Sequence, residues 1–138
     1  MTWFIDTAVI MFAAGREYPL RLPCQNILRE VSTGDVDAVT SAEVVQEILH
    51  RFSGSGNRAT GVAMAEHTLE LFSPVLSITH AVMSRMPELM LSNPHLTARD
   101  VMHVATCQEF GIETIVSPDR GFDAVAGLKR IDPALLTR

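Results

Sequence analysis

The sequence predicts an α/β fold in which helices cover both faces of a parallel β-sheet. Short apolar runs rich in β-branched or aromatic residues alternate with longer segments of helical period. Such alternation is typical of parallel strands joined by helices. The 138 residues, of which 47% are hydrophobic and 20% charged, are enough for one domain with its own core. We therefore expect a single domain over residues 1–138.

The elements follow from this alternation and from the residues that interrupt it. Strand candidates are residues 3–5, 36–40, 71–76, 114–117 and 128–131. Helix candidates are residues 19–32, 41–52, 58–70, 79–91 and 97–110, with shorter turns after Thr7 and after Asp119. Gly34, the SGSGN run at 53–57, Asn93-Pro94 and Gly111 separate these segments because they favour turns and helix ends.

Charge and composition exclude several classes of protein. A net charge of −5 argues against a protein that coats nucleic acid through overall positive charge. The apolar opening stretch lacks a basic leader and carries Asp6 in its middle, which is not typical of a signal peptide. No apolar run reaches the roughly 18 residues of a membrane span. Cys24 and Cys107 form no metal-type pair, so we expect reduced thiols in a cytoplasmic protein.

Acidic residues follow the ends of two predicted strands. Asp6 comes directly after residues 3–5, and Asp119 comes shortly after residues 114–117. Ligands of parallel sheets gather at this carboxyl edge, because loops and helix N-termini meet there. Capping of the next helix explains Asp6 as well. Asp100 has the same alternative, since Thr97 stands three residues before it.

Glu43 and Glu47 lie one turn apart on the predicted helix over 41–52. Thr40 and Glu43 have the spacing of a capping box, which gives Glu43 a local structural role. Glu47 lies a full turn further in, among apolar residues. An ion pair with Arg51 at the i, i+4 spacing is its structural alternative.

These acids lie on elements that a parallel sheet brings together at its carboxyl edge. They are Asp6, Glu47, Asp100 and Asp119, with Asp123 close behind. Four like charges repel unless some stay protonated or a cation neutralises them. Oxygen ligands without a cysteine or histidine pattern suit Mg²⁺ or Mn²⁺ rather than zinc.

The same segments resemble a known family along essentially the whole chain. FIDT at 4–7, TSAEVVQEILHRF at 40–52, LTARDVMHVATCQEFGIETIVSPDRGFD at 96–123 and LKRIDP at 128–133 are similar to the acid motifs and closing strand of PIN-domain ribonucleases. The resemblance is strongest to the VapC-like toxins of bacterial toxin–antitoxin pairs. Ala8 departs from it, because many members carry a small polar residue there.

The resemblance implies a PIN-like three-layer α/β/α sandwich with a five-stranded parallel sheet, a homodimer, and an antitoxin peptide over the acidic groove. It implies cleavage of RNA with Mg²⁺ or Mn²⁺. The implied catalytic residues are Asp6, Glu47, Asp100 and Asp119. The implied metal ligands are Asp6, Asp100, Asp119 and Asp123, and the supporting hydroxyls are those of Thr7 and Ser117.

Other polar and sulfur-containing residues have two interpretations each. Arg120 lies beside the acids, but a salt bridge with Asp123 is the simpler interpretation. His103, one turn after Asp100, is interpreted as a packed or hydrogen-bonded side chain rather than a site residue. Arginines that could bind RNA at the rim of the acidic site are Arg51, Arg58 and Arg99. The methionines at helical spacing, Met83, Met86 and Met90, are interpreted as core or dimer contacts.

Two other functions fit parts of the sequence. A phosphatase or phospho-acceptor domain also has an aspartate after its first strand, but it needs a second acid at position 8 and a well-placed lysine. The chain has Ala8 and a single late lysine, Lys129. A non-catalytic module that binds RNA or an antitoxin is the other alternative, and Ala8 keeps it open.

Overall fold

The computed structural model describes residues 1–15, 19–54 and 56–136. Within them lies a parallel sheet of four strands in the order β2-β1-β3-β4. The strands are β1 (Trp3–Ile5), β2 (Ala38–Val39), β3 (Thr114–Val116) and β4 (Lys129–Ile131). The central strands β1 and β3 are almost entirely buried, as expected of parallel strands covered on both faces.

Seven helices and two 3-10 turns surround the sheet in the described residues. The helices are α1 (Thr7–Ala14), α2 (Arg21–Thr33), α3 (Ala42–Ser53), α4 (Arg58–Leu71), α5 (His80–Ser84), α6 (Met86–Ser92) and α7 (Ala98–Glu109). The 3-10 turns are Arg120–Ala124 and Pro133–Leu135. Helix α1 packs against α2 and α3, α3 packs against α4, and α5 and α6 both pack against α7. These contacts define two groups of helices, α1 to α4 and α5 to α7.

The prediction of a fifth strand over residues 71–76 is wrong. Helix α4 continues to Leu71, and Phe72 ends it with its side chain in the core. Pro74 has no N–H to give to a sheet ladder. Only Leu76 reaches the sheet, where its N–H donates to Thr40 O at 2.9 Å and its carbonyl accepts from Ala42 N at 2.8 Å.

The predicted helix over residues 79–91 is two helices, α5 and α6. Thr79 caps α5 by accepting a hydrogen bond from Val82 N at 3.2 Å. Pro87 lies in the first turn of α6, where it removes the N–H that a continuous helix would bond to the preceding turn. The chain therefore breaks at Arg85 and restarts at Met86.

The remaining predicted elements agree with the structure within a few residues, and one hydrophobic core joins them. Cys24 and Cys107 are free, buried thiols. Met86 is buried, whereas Met83 and Met90 are exposed on α5 and α6. Across the described ranges, no helix combines the length and the apolar character that crossing a bilayer requires.

Candidate active site

Asp6 lies where β1 leaves the sheet, and it both caps a helix and contacts another strand end. Its Oδ1 accepts a hydrogen bond from Thr7 N at 2.8 Å, which makes it the N-cap of α1. Its Oδ2 accepts a hydrogen bond of 2.6 Å from the hydroxyl of Ser117, the residue after β3. All three residues are buried. The capping role predicted as an alternative thus coexists with a position at the carboxyl edge of the sheet.

Glu47 reaches the same place from helix α3. The Thr7 hydroxyl donates to Glu47 Oε1 at 2.9 Å, and the Glu47 side chain is only 9% exposed. The alternative ion pair also exists, with Arg51 Nη2 lying 3.7 Å from Glu47 Oε2. Because Arg51 is largely exposed, this pair contributes little to stability. The hydrogen bond from Thr7 therefore holds the buried end of Glu47 more firmly than the exposed ion pair does.

The start of α3 differs from the predicted capping box. Ser41, not Thr40, is the N-cap, and its hydroxyl accepts a hydrogen bond from Val44 N at 3.4 Å. Thr40 instead donates its hydroxyl to Ile5 O at 2.7 Å, across from β2 to β1. The Thr40–Glu43 box is therefore wrong. The Thr40 bond fixes the strand end that carries Asp6 against the helix that carries Glu47.

Asp100 lies in the first turn of α7, as predicted. Thr97 is the N-cap, accepting from Asp100 N at 3.3 Å and donating its own hydroxyl to Asp100 Oδ2 at 3.1 Å. The predicted capping by Thr97 is confirmed. Within the described part of the chain, Asp100 Oδ1 accepts no hydrogen bond.

Asp119 follows β3 and is joined to Asp6 through Ser117. Asp119 N donates to the Ser117 hydroxyl oxygen at 3.0 Å, and that hydroxyl in turn donates to Asp6. Asp119 Oδ1 caps the following 3-10 turn by accepting from Gly121 N at 2.8 Å. Its Oδ2 has no hydrogen-bond donor among the residues described.

The charges of neighbouring acids affect the ionisation of Asp6 and Asp100. Burial raises the pKa of Asp6, and the nearby charge of Asp100 adds to the rise. Burial also raises the pKa of Asp100, and the charges of Asp119 and Glu47 add to it. We refer to Asp6, Glu47, Asp100 and Asp119 as the acid cluster. The structure thus brings together the four acids that the sequence placed at one edge of the sheet.

His103 is the site residue that sequence reasoning assigned to packing. It is fully buried on α7 and stacks at a tilt on Phe4, with ring centroids 5.4 Å apart. Its Nε2 lies 3.5 Å from Asp6 Oδ1 and 3.6 Å from Glu47 Oε1. Burial alone would lower the pKa of His103, but the contact with Glu47 and the charge of Asp6 outweigh it and raise the pKa. The only sequence signal was the spacing from Asp100, which does not reveal what faces the ring.

The contact of Glu47 with His103 also affects the glutamate. Burial opposes ionisation of Glu47, but His103, Thr7 and Arg51 outweigh burial and lower its pKa. Glu47 is therefore ionised at neutral pH, whereas burial works against ionisation of Asp6.

Asp123 lies apart from this arrangement, in a salt bridge with Arg130. Arg130 Nε and Nη2 donate to the two carboxylate oxygens at 2.8 and 3.2 Å, and Nη1 donates to Ser117 O at 3.0 Å. The expected salt bridge between Arg120 and Asp123 is therefore wrong, because Arg130 takes that position. The hydrogen bonds from Arg130 lower the pKa of the exposed Asp123 carboxyl. Sequence reasoning missed Arg130, whose place on β4 gives no local sign of its partner.

The donor atoms of the acid cluster suit a hard divalent cation, since they are all oxygen. In the present arrangement, however, no three His, Cys, Asp or Glu side chains of the described residues form a ready-made metal site. Several of the carboxylate oxygens are bound inside the protein, by Thr7, Ser117 and Gly121. Oxygens of Asp100 and Asp119 have no such partner in the described ranges. The residues fit a cation in chemistry and charge, and binding it requires some carboxylates to turn.

Comparison with known proteins identifies the family. Residues 3–128 match the family model for the PIN domain, and the chain belongs to this family. Among similar proteins, ribonuclease VapC13 of Mycobacterium tuberculosis is 31% identical over 127 residues, covering 92% of this chain and 97% of that protein. Ribonuclease VapC23 of the same species is 33% identical over 116 residues, covering 84% and 91%.

Solved structures agree with the fold. VapBC2 from Rickettsia felis, bound to a DNA fragment from its promoter, matches with a TM-score of 0.76 at 13% identity, over 95% of this chain and 98% of that one. FitAcB from Neisseria gonorrhoeae matches with a TM-score of 0.76 at 19% identity, over 97% and 99%. The predicted PIN-like α/β fold is confirmed, with four strands in the described residues instead of five.

Proposed function

We propose that this protein is a metal-dependent endoribonuclease and the toxin of a toxin–antitoxin pair. The observation that carries the proposal is the acid cluster, in which four carboxylates from separate elements meet at the carboxyl edge of a parallel sheet. The names of similar proteins, ribonucleases VapC13 and VapC23, support the choice of RNA as substrate.

The proposed cation is Mg²⁺ or Mn²⁺, held by Asp6, Asp100 and Asp119. Asp123 was also expected as a ligand, but both of its carboxylate oxygens accept hydrogen bonds from Arg130. When bound, the cation activates water and neutralises charge on the phosphodiester. Thr7 and Ser117 keep the carboxylates of Glu47 and Asp6 in place through their hydroxyls. Glu47 stays ionised and completes the site beside these ligands.

Charge explains why the cation is needed for binding as well as for chemistry. The chain carries a net charge of −5, and a bare acid cluster repels phosphate. Arg51 and Arg120 are exposed near the acids and supply positive charge at the rim. Arginine suits this role because its planar fork matches two phosphate oxygens.

A cognate antitoxin is the proposed protein partner, and a homodimer in the cytoplasm is the proposed state of the free protein. One similar solved structure is described as a toxin–antitoxin complex from Klebsiella pneumoniae. An apolar groove of about 270 Å³ runs between α1, α2 and α4, lined by residues that include Ile10, Leu28 and Met64. Such a groove suits an apolar partner segment. Exposed Met83 and Met90 suit a contact between two copies.

The direct test is incubation of the purified protein with total cellular RNA in Mg²⁺, Mn²⁺ or EDTA, followed by mapping of the cut ends. We expect discrete cleavage with either cation and none with EDTA. Asp6→Asn should remove the activity. Glu66→Gln removes one exposed carboxylate from α4, away from the site, and is the matched control that should stay active. Cleavage that persists in EDTA, or in Asp6→Asn, would contradict the proposal.

A catalytically weakened module that binds RNA or antitoxin is the second candidate. It is favoured by Ala8, which follows Thr7 on α1 and offers no polar group next to Asp6. Such a module binds RNA in a gel-shift assay but leaves it uncut at every cation concentration. Replacing Ala8 with Ser would then restore cleavage if the missing hydroxyl is the cause.

A further inference from the structure

We propose that His103 is a positioning residue that fixes the orientation of Asp6 and Glu47 within the acid cluster. This inference rests on the proposed function and adds a residue to its site. His103 comes from α7, whereas Asp6 ends β1 and Glu47 lies on α3, so the imidazole joins three elements. Its side chain is 1% exposed, so a hydrogen on either ring nitrogen can be satisfied only by an acceptor inside the protein.

The geometry assigns the hydrogen on the ring. Nδ1 is buried and has no hydrogen-bond partner in the described part of the chain. A hydrogen placed there would be a buried, unsatisfied donor. Nε2 faces Asp6 Oδ1 at 3.5 Å and Glu47 Oε1 at 3.6 Å, so a hydrogen on Nε2 lies between two acceptors. Sharing one donor between two acceptors lengthens both distances beyond those of a single hydrogen bond.

His103 faces the same two oxygen atoms that Thr7 holds. Thr7 N donates to Asp6 Oδ1 at 2.8 Å, and the Thr7 hydroxyl donates to Glu47 Oε1 at 2.9 Å. Together the two residues occupy one oxygen of each carboxylate. The other oxygen of each carboxylate faces elsewhere: Asp6 Oδ2 faces Ser117, and Glu47 Oε2 faces Arg51. His103 thereby determines which oxygen each acid presents, and a neutral imidazole with its hydrogen on Nε2 is sufficient.

A purely structural role is the competing explanation, since the ring also packs on Phe4. Two replacements separate the roles. His103→Leu keeps apolar volume but has no donor, whereas His103→Gln keeps an N–H that can reach the acids. Val104→Ala is the packing control, because Val104 is the buried neighbour on α7 and its truncation weakens the core without removing a donor.

We expect His103→Leu to lower kcat for a cleaved RNA about 10- to 100-fold, the usual range for residues that orient metal ligands, while KM changes little. His103→Gln should recover part of the loss. Val104→Ala should unfold at lower urea but keep kcat. A His103→Leu protein with the kcat of wild type would overturn the proposal. So would a His103→Gln protein whose kcat is no higher than that of His103→Leu.

A second measurement does not depend on activity. Long-range ¹H–¹⁵N spectra of the metal-free protein report which ring nitrogen carries hydrogen. We expect a hydrogen on Nε2 in both the neutral and the protonated ring, and a change in the Nε2 shift in Glu47→Gln. A hydrogen on Nδ1 alone would overturn the proposal even if RNA is cleaved. If wild-type protein cleaves no RNA, the proposed function fails and the spectra alone decide the role of His103.

Discussion

Replacing Asp100 with asparagine should make the metal-free protein more stable and the metal-bound protein less stable than wild type. Burial and the charges of Asp119 and Glu47 act against the ionised form of Asp100. An asparagine oxygen can still accept the hydrogen bond from the Thr97 hydroxyl. The replacement therefore removes repulsion and retains the helix cap, but it also removes a proposed metal ligand.

The size of the effect follows from the charges. Two unit charges about 7 Å apart repel by roughly 1.2 kcal/mol in a medium of effective dielectric constant about 40, which lies between about 20 for pairs near a protein surface and about 80 for bulk water. Relief of one such repulsion gives about 1 kcal/mol, or a rise in Tm of roughly 4 °C for a domain of this size. Saturating metal has the opposite effect. A cation at about 100 times its Kd stabilises wild type by about 2.7 kcal/mol, which exceeds the gain in the variant.

The order of stability of Asp100→Asn and wild type should consequently reverse between EDTA and Mg²⁺ in a thermal or urea unfolding experiment. Asp100→Asn should be more stable in EDTA, and wild type should be more stable in saturating Mg²⁺. Glu66→Gln, with the same change in net charge at an exposed site, should follow wild type in both conditions. An Asp100→Asn protein that gains as much stability from Mg²⁺ as wild type would refute the assignment of Asp100 as a ligand.

Three further results are expected. Burial raises the pKa of the Cys24 and Cys107 thiols to about 12, so iodoacetamide should label neither until the protein unfolds, and fast labelling of native protein would be contrary evidence. Because the pKa of Asp6 is raised, protons compete with the cation for this ligand, and the rise in Tm caused by Mg²⁺ should become smaller as the pH falls from about 8 to about 5. Without metal, the ionisation of Asp6 at rising pH should lower the stability of the protein. Gly61→Ala should destabilise the protein by a net of about 1–2 kcal/mol in urea unfolding. The new Cβ would lie 2.6 Å from Phe52 Cβ, an overpacking that costs about 2–3 kcal/mol, and better helix propensity offsets about 1 kcal/mol of it. An unchanged urea midpoint would show that helices α3 and α4 adjust freely.

Much of the fold could be predicted from the sequence, because the local patterns indicate the same central strands that the sheet contains. Residues 3–5 and 114–117 are short β-branched or aromatic runs, and both are central strands. Residues 71–76 have a similar composition, yet the helical end at Phe72 and the missing N–H of Pro74 leave only one bridge, at Leu76. Composition alone does not reveal where the preceding helix ends.

Side-chain partners across the sheet were harder to predict than the acids themselves. The positions of Asp6 and Asp119 follow from strand ends, which the sequence marks. The partner of Arg130 and the atoms facing His103 depend on how β4 and α7 pack against other elements. Capping was ambiguous for a similar reason, because Thr40 and Ser41 are both suitable caps and only the pairing of Thr40 with Ile5 decides between them.

The order of the strands affects how the protein folds during synthesis. The first strand is central, and the bond from Ser117 to Asp6 joins residues 111 positions apart. Contacts at such separation form slowly, because a long loop must close before they can stabilise the chain. A nascent chain that has not yet emerged as far as Ser117 cannot assemble the acid cluster. The proposed active site would therefore form only after the chain has left the ribosome to beyond Asp119.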